Sequence, residues 1–237
     1  MGLESVAYRR VVYDRERWRL LSEKRDRAAT LMSVLRSKGV ADAFVYGSVA
    51  RGDVRPESDV DVFIPRVVNP ELLQLIAESE LGGYWRRAVV QATPGYVVKG
   101  YIYLDDLTSI SFPLIEMLPA EHEFYTIAGK IELEGLIVGK RVSGMNKSLT
   151  VVVPVEEGHL EFPAESAPEI AAKLIGCDPR ALRDRIRVLR RRQEHGRTGV
   201  YRELVLDGDQ TFSWALKRLV DDNPVLRRRL RSGRRSV

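Results

Sequence analysis

Cysteine occurs once in the 237 residues, at Cys177, which excludes an internal disulfide and any zinc site built on paired cysteines. The three histidines, His122, His159 and His195, are far apart and have no metal-ligand spacing. No apolar run reaches the roughly 18 to 20 residues that a membrane helix needs. The N-terminal stretch MGLESVAYRR lacks the apolar segment of a secretion signal. The expectation is a cytoplasmic protein without a membrane partner. Acidic residues run short in one region only. From Arg180 to Val237, seventeen Arg and Lys face seven Asp and Glu, while the whole chain carries +5. The remainder is therefore net acidic, and the back end has the charge of a segment that meets a polyanion.

What is present is a globular composition, 44% hydrophobic and 30% charged, enough for one large or two modest domains. Spacing predicts a long helix over Asp14–Lys38, with Trp18, Leu21, Ala28, Leu31, Met32 and Leu35 on its apolar face and Gly39 beyond its end. A short strand follows at Ala43–Tyr46. Gly47 and Ser48 then turn the chain into a short helix that Gly52 ends. A polar loop, DVRPES, leads to a strand over Asp59–Ile64. Strand alternation puts Asp59, Asp61 and Phe63 on one side and Val60, Val62 and Ile64 on the other. Asn69-Pro70 opens another helix. Strands with turns at Pro94-Gly95 and Asp105-Asp106 fill the stretch to Met117, and further strands are expected at Lys130–Leu133 and Leu149–Val155. EFPAESAPE reads as a linker, and the pattern is helical from Pro168 onward.

The stretch FVYGSVARGDVRPESDVDVFIP, Phe44 to Pro65, carries the chemistry. Glycine lets backbone approach a ligand closely. Amides at a helix start, with the Ser48 hydroxyl, suit a phosphate. Two carboxylates at i and i+2 on one strand face repel each other unless a cation lies between them. Magnesium fits, because it takes one or two carboxylates together with waters and substrate phosphates. Phosphate cradle and metal carboxylates together are the equipment of phosphoryl or nucleotidyl transfer.

These residues resemble the signature of the DNA polymerase β-like nucleotidyltransferase superfamily, which includes CCA-adding enzymes, aminoglycoside nucleotidyltransferases and small "minimal" nucleotidyltransferases. The similarity is greatest to archaeal nucleotidyltransferase-domain proteins. It is close over Phe44–Pro65 and extends loosely to Met117. The resemblance implies an α/β (α+β) fold with a mixed sheet backed by helices. It implies Gly47 and Ser48 on the triphosphate of an NTP, and Asp59 and Asp61 as catalytic ligands of Mg²⁺, with two ions in the fullest form. Arg51 and Ser58 lie inside the motif as further nucleotide-binding candidates. The family usually adds a third carboxylate on a later strand. Here the expected strand, LTSISFPLI, offers Ser109 and Ser111; the nearest acids are Asp105, Asp106 and Glu116.

The back half has a second shape. Asp178 and Pro179 form a helix start after a Gly176-Cys177 turn. Leu182, Ile186 and Leu189 then give one buried stripe, surrounded by arginines. Two helices with a tight turn and a basic second helix resemble a helix-turn-helix. GRTGVYRELVLDGD is the candidate wing. Arg180, Arg183, Arg187, Arg190 and Arg191 are the candidate nucleic-acid contacts.

The sequence thus reads as a nucleotidyltransferase domain over residues 1–160 and a smaller, mostly helical, helix-turn-helix-like domain over 168–237. The expected activity is Mg-dependent transfer of NMP from an NTP to an acceptor hydroxyl, with RNA or DNA as an acceptor. The alternative is a catalytically weakened nucleotide-binding module that acts as a DNA-binding regulator.

Overall fold

The computed structural model describes residues 6–196 and 200–233. In chain order the elements are β1 (Arg9–Val12), α1 (Arg15–Ser37), β2 (Phe44–Tyr46), α2 (Ser48–Arg51), β3 (Val60–Phe63), α3 (Pro70–Glu80), β4 (Arg86–Gln91), β5 (Val98–Asp105), β6 (Thr108–Pro113), α4 (Pro119–Ala128), β7 (Lys130–Glu132), α5 (Leu133–Ile137), β8 (Gly144–Met145), β9 (Thr150–Val155), β10 (Gly158–Pro163), α6 (Pro168–Ile175), α7 (Pro179–His195), β11 (Arg202–Val205), α8 (Phe212–Asp222) and α9 (Pro224–Gly233). The fold is the mixed α+β type that the sequence implies.

A seven-stranded sheet runs in the order β11-β4-β5-β6-β3-β2-β7. Only β3 and β6 pair in parallel, and this pair lies at the centre. One face of the sheet carries Val62, Ile110, Ile102 and Val89, all fully buried, and packs on α1, α3 and α8. α1 starts at Asp14, whose carboxylate accepts the Arg17 N–H at 2.8 Å. Its buried stripe of Leu21, Ala28, Leu31, Met32 and Leu35 matches the spacing in the sequence. Arg25, buried among them, donates to the carbonyls of Val49 and Lys140 and so ties α1 to α2 and to the chain after α5.

A second, antiparallel sheet runs β1-β10-β9-β8. Val151 and Phe162 of this sheet bury against Ala171, Ala172, Leu182, Ile186 and Leu189 of α6 and α7. The helix pair is therefore built on a sheet that belongs to the front of the chain. Asp178 caps α7, accepting the Arg180 N–H at 2.6 Å. Asp178→Ala is expected to cost about 1 kcal/mol, read as a drop in the thermal midpoint.

Three expectations need correction. The proposed linker is not one: Glu161, Phe162 and Pro163 lie in β10, which pairs with both β1 and β9. The wing is not one either: β11 pairs antiparallel with β4, Arg202 opposite Gln91 and Val205 opposite Ala88, and extends the large sheet. Residues 197–199 of that stretch lie outside the described residues. Nor does residue 168 open a separate domain. Phe212, Ala215, Leu219 and Leu226 of α8 and α9 return to the main core, with the Phe212 ring 5.2 Å from that of Phe112. The physical reason is hydrophobic burial. The face that α1 and α3 cover in part needs a further cover over β4 to β6, and the apolar stripe of α8 supplies it. The basic end is also partly spent inside. Arg229 pairs with Glu121 at 2.6 Å and donates to the Glu116 carbonyl.

Candidate nucleotidyl-transfer site

The turn after β2 is held by Gly47, whose φ of +81° is a conformation that a side chain disfavours. A Cβ built there would meet nothing within 4 Å, so the backbone faces open space. The Gly47 N–H is already used, donating to the Gly129 carbonyl at 2.9 Å. The amides of Ser48 and Val49 donate to no acceptor among the described residues. A phosphate would therefore meet those two amides and the Ser48 hydroxyl rather than the glycine's own N–H.

Asp59 is exposed and immediately precedes β3; Asp61 lies within it. Asp61 is in register with Ser109 on β6, and the Ser109 hydroxyl donates to its Oδ1 at 2.8 Å. Burial raises the Asp61 carboxyl above its ordinary range. The Ser109 hydrogen bond opposes that, the Asp59 charge adds to it, and Lys147 and Lys99 oppose it at longer range. The two acids thus sense each other, as a shared strand face requires. On the same face, two residues beyond Ser109, the Ser111 hydroxyl is fully buried and has no hydrogen-bond partner among the described residues. A buried orphan hydroxyl is uncommon and calls for a ligand or water.

Lys99, absent from the sequence-based candidates, points into this site from β5. Its Nζ lies 5.6 Å from the Tyr125 ring centre, 5.7 Å from Tyr101 and 5.9 Å from both Phe63 and Phe124. It also donates to the Tyr125 hydroxyl at 3.3 Å. Burial pushes the ammonium down to about 8, partly offset by Asp61 and Glu121, while Arg185 pushes further down. The signal was present in VKGYIYL. Lys99, Tyr101 and Tyr103 alternate along one strand and share a face.

Other candidates fare differently. Arg51 is corrected: its guanidinium is buried, bound by Asp53 at 3.0 Å through two nitrogens and by the Ala128 carbonyl. It braces α2 against the end of α4. The Ser58 hydroxyl closes the loop by accepting the Arg55 N–H at 2.9 Å. The Ser58 carbonyl accepts from Lys24 at 2.6 Å, which fixes the approach to Asp59. Asp105 serves its turn, accepting the Leu107 N–H at 2.9 Å and pairing with Arg27 at 3.1 Å. His159 is half of a buried pair with the Tyr13 hydroxyl at 2.6 Å, and burial lowers its pKa.

On α7, Arg180 and Arg191 are exposed and have no carboxylate partner among the described residues. Arg183 pairs with Glu169, Arg187 with Asp184, and Arg190 with Glu165 and Glu194. The arginine that reaches the site is Arg185, whose guanidinium lies 4.8 Å over the Phe124 ring.

A strand ending in Gly-Ser, a neighbouring strand with paired acids and an adjoining caged lysine lie close together on a mixed sheet. Residues 29–103 match the family model of the nucleotidyltransferase domain, consistent with the polymerase β-like superfamily. The match spans Gly47, Ser48, Asp59, Asp61 and Lys99 and ends before Ser109. No curated protein and no solved structure matches the chain. Among the described residues, no three His, Cys, Asp or Glu side chains converge as a ready metal cluster. No helix among them is long and apolar enough to cross a membrane.

Proposed function

We propose that the protein is a magnesium-dependent nucleotidyltransferase that moves NMP from an NTP to an acceptor hydroxyl. The observation that carries this reading is Asp61, half-buried on β3 beside the Gly47-Ser48 turn, with the Asp59 charge close enough to act on it. The donor set fits one ion. Burial and a like charge strain Asp61 in its ionised form, which a divalent cation would relieve, and magnesium completes its shell with waters and phosphate oxygens. Held by Asp59 and Asp61, magnesium supplies charge neutralisation at the reacting phosphate.

The chain does the rest by positioning. The Ser48 and Val49 amides and the Ser48 hydroxyl hold the outer phosphates. Lys99 faces the charge that develops as pyrophosphate leaves. The acceptor oxygen bonds to the α-phosphorus, the bond from that phosphorus to the bridging oxygen breaks, and the hydroxyl proton goes to solvent. The arginines of α7, namely Arg180, Arg183, Arg187, Arg190 and Arg191, offer a nucleic-acid acceptor a basic approach.

Ser109 favours a second reading, a nucleotide-binding module with weakened catalysis that binds DNA through α7. It occupies the position in register with Asp61 where a third acid would complete a two-ion site. The test uses α-labelled NTPs with magnesium, small RNA and duplex DNA, beside Asp59→Ala. Label on an acceptor with the wild type alone supports transfer; magnesium-dependent NTP binding without label supports the second reading. Ser109→Asp should raise magnesium affinity about tenfold, the scale on which neighbours of a metal ligand act. It should also lower stability in EDTA, because three acids then crowd one face. Titration calorimetry and a melt check both.

A further inference from the structure

The face of the large sheet opposite α1, α3 and α8 carries a row of rings, half-buried at Tyr101 and Tyr103 and exposed at Trp85, that ends at the Asp61 site and that the chemistry above does not use. Register across four strands puts Asp61, Ser109, Tyr103 and Arg86 on one rung and Phe63, Ser111, Tyr101 and Ala88 on the next. The Tyr101 and Tyr103 rings are near-parallel, 14° apart, with centres separated by 5.8 Å. Trp85, 58% exposed, lies next to Tyr103, its ring centre 6.4 Å away and its plane tilted by 59°. The Arg86 guanidinium lies 5.1 Å over the Tyr103 ring, while pairing with Glu203 at the rim. At the other end, Phe124 lies between Lys99 and Arg185, so the basic helix α7 joins the same surface.

We propose that this face holds the 3′ end of a single-stranded nucleic acid as the acceptor, its bases stacked on Tyr101, Tyr103 and Trp85 and its phosphates near Arg86 and Arg185; this rests on the nucleotidyl-transfer reading. Three features select that occupant. An exposed ring at Trp85, half-buried rings at Tyr103 and Tyr101 and interleaved cations are what unpaired bases and their backbone need. Strand spacing makes the rung from Asp61 to Arg86 about 14 Å long, room for two or three nucleotides, whereas a small hydroxyl acceptor would need one ring. A duplex has no free base faces to offer, because its bases are already stacked. The row also ends where the terminal hydroxyl must arrive, beside Asp61 and Ser109.

The test is fluorescence anisotropy with labelled U12, dT12 and a 12-base-pair duplex, on the full chain, without NTP. The wild type should bind at least one single strand about tenfold or more tighter than the duplex; whichever strand is preferred identifies the sugar. Trp85→Ala and Tyr103→Ala should each weaken that binding at least about fivefold, the scale of one stacked base. Tyr103→Phe, which keeps the ring, should bind like the wild type, and melts identify any variant that fails to fold. Equal binding by Trp85→Ala and the wild type, or preference for the duplex, overturns the proposal. Label transfer to a small hydroxyl acceptor in the same preparations is a separate readout. If transfer persists while single-strand binding is absent, the acceptor proposal fails and the nucleotidyl-transfer reading stands. If transfer is absent while folded protein still binds the strand, the nucleotidyl-transfer reading fails and the strand-binding face stands.

Discussion

Asp61→Asn should lose about 10² to 10³-fold in transfer rate, the scale of removing one preorganised electrostatic group, and should melt higher than the wild type in magnesium-free buffer. The two effects have one cause. Burial and the Asp59 charge raise the Asp61 carboxyl above its unfolded value, against the Ser109 hydrogen bond. A carboxyl raised in the folded state is disfavoured as the anion. Stability is therefore greatest below the unfolded pKa and is lost as pH rises through the folded one. At neutral pH the anion is a cost, and asparagine removes it while still accepting from Ser109. Magnesium should raise the wild-type midpoint by relieving the same cost, as any ligand of the native state does. The variant should gain little. Undiminished transfer, or a magnesium shift that survives the substitution, would take Asp61 out of the metal site.

How much of this was legible in the sequence depends on whether the cause is local. The Gly47 turn, the alternation that carries Asp61, the Asp178 cap and the stripe of α7 are set within a few residues, and each stands where the spacing puts it. Arg51 was not legible. Its partners are Asp53, two residues away, and the Ala128 carbonyl, 77 residues away, and only the fold brings the second. The wing failed for a similar reason. RELV has strand character, but its partner is β4, an edge that only the assembled sheet exposes. The same holds for β1, a four-residue strand that is mostly exposed and is defined by pairing with β10. Lys99 is an intermediate case. Its place on a strand was readable, whereas its cage needs Phe63 from β3 and Phe124 and Tyr125 from α4.

Lys99→Met should separate stability from function at that cage. Burial lowers the ammonium from 10.5 to about 8. For a base lowered in the folded state, the native protein favours the neutral amine. Its stability is fully present above the unfolded pKa and is lost as pH falls through the folded one. At pH 7 the charge therefore costs up to about 3 kcal/mol, less what the four surrounding rings return as cation–π attraction, about 0.5 to 2 kcal/mol. Methionine keeps the length and suits aromatic walls. The variant should be more stable than the wild type by about 1 to 3 kcal/mol at pH 7, and the gap should close between pH 8 and pH 10 as the wild-type lysine becomes neutral. Transfer should fall by about 10² if Lys99 meets the departing pyrophosphate. Chemical denaturation at pH 7 and pH 9.5, with label transfer on the same samples, reads both. A variant less stable at pH 7 would mean that the rings, and not the burial, set the energetics of this lysine. A more stable variant with full activity would make Lys99 a packing residue. The combination of gain and loss is the mark of a group held at a cost for a substrate that completes it.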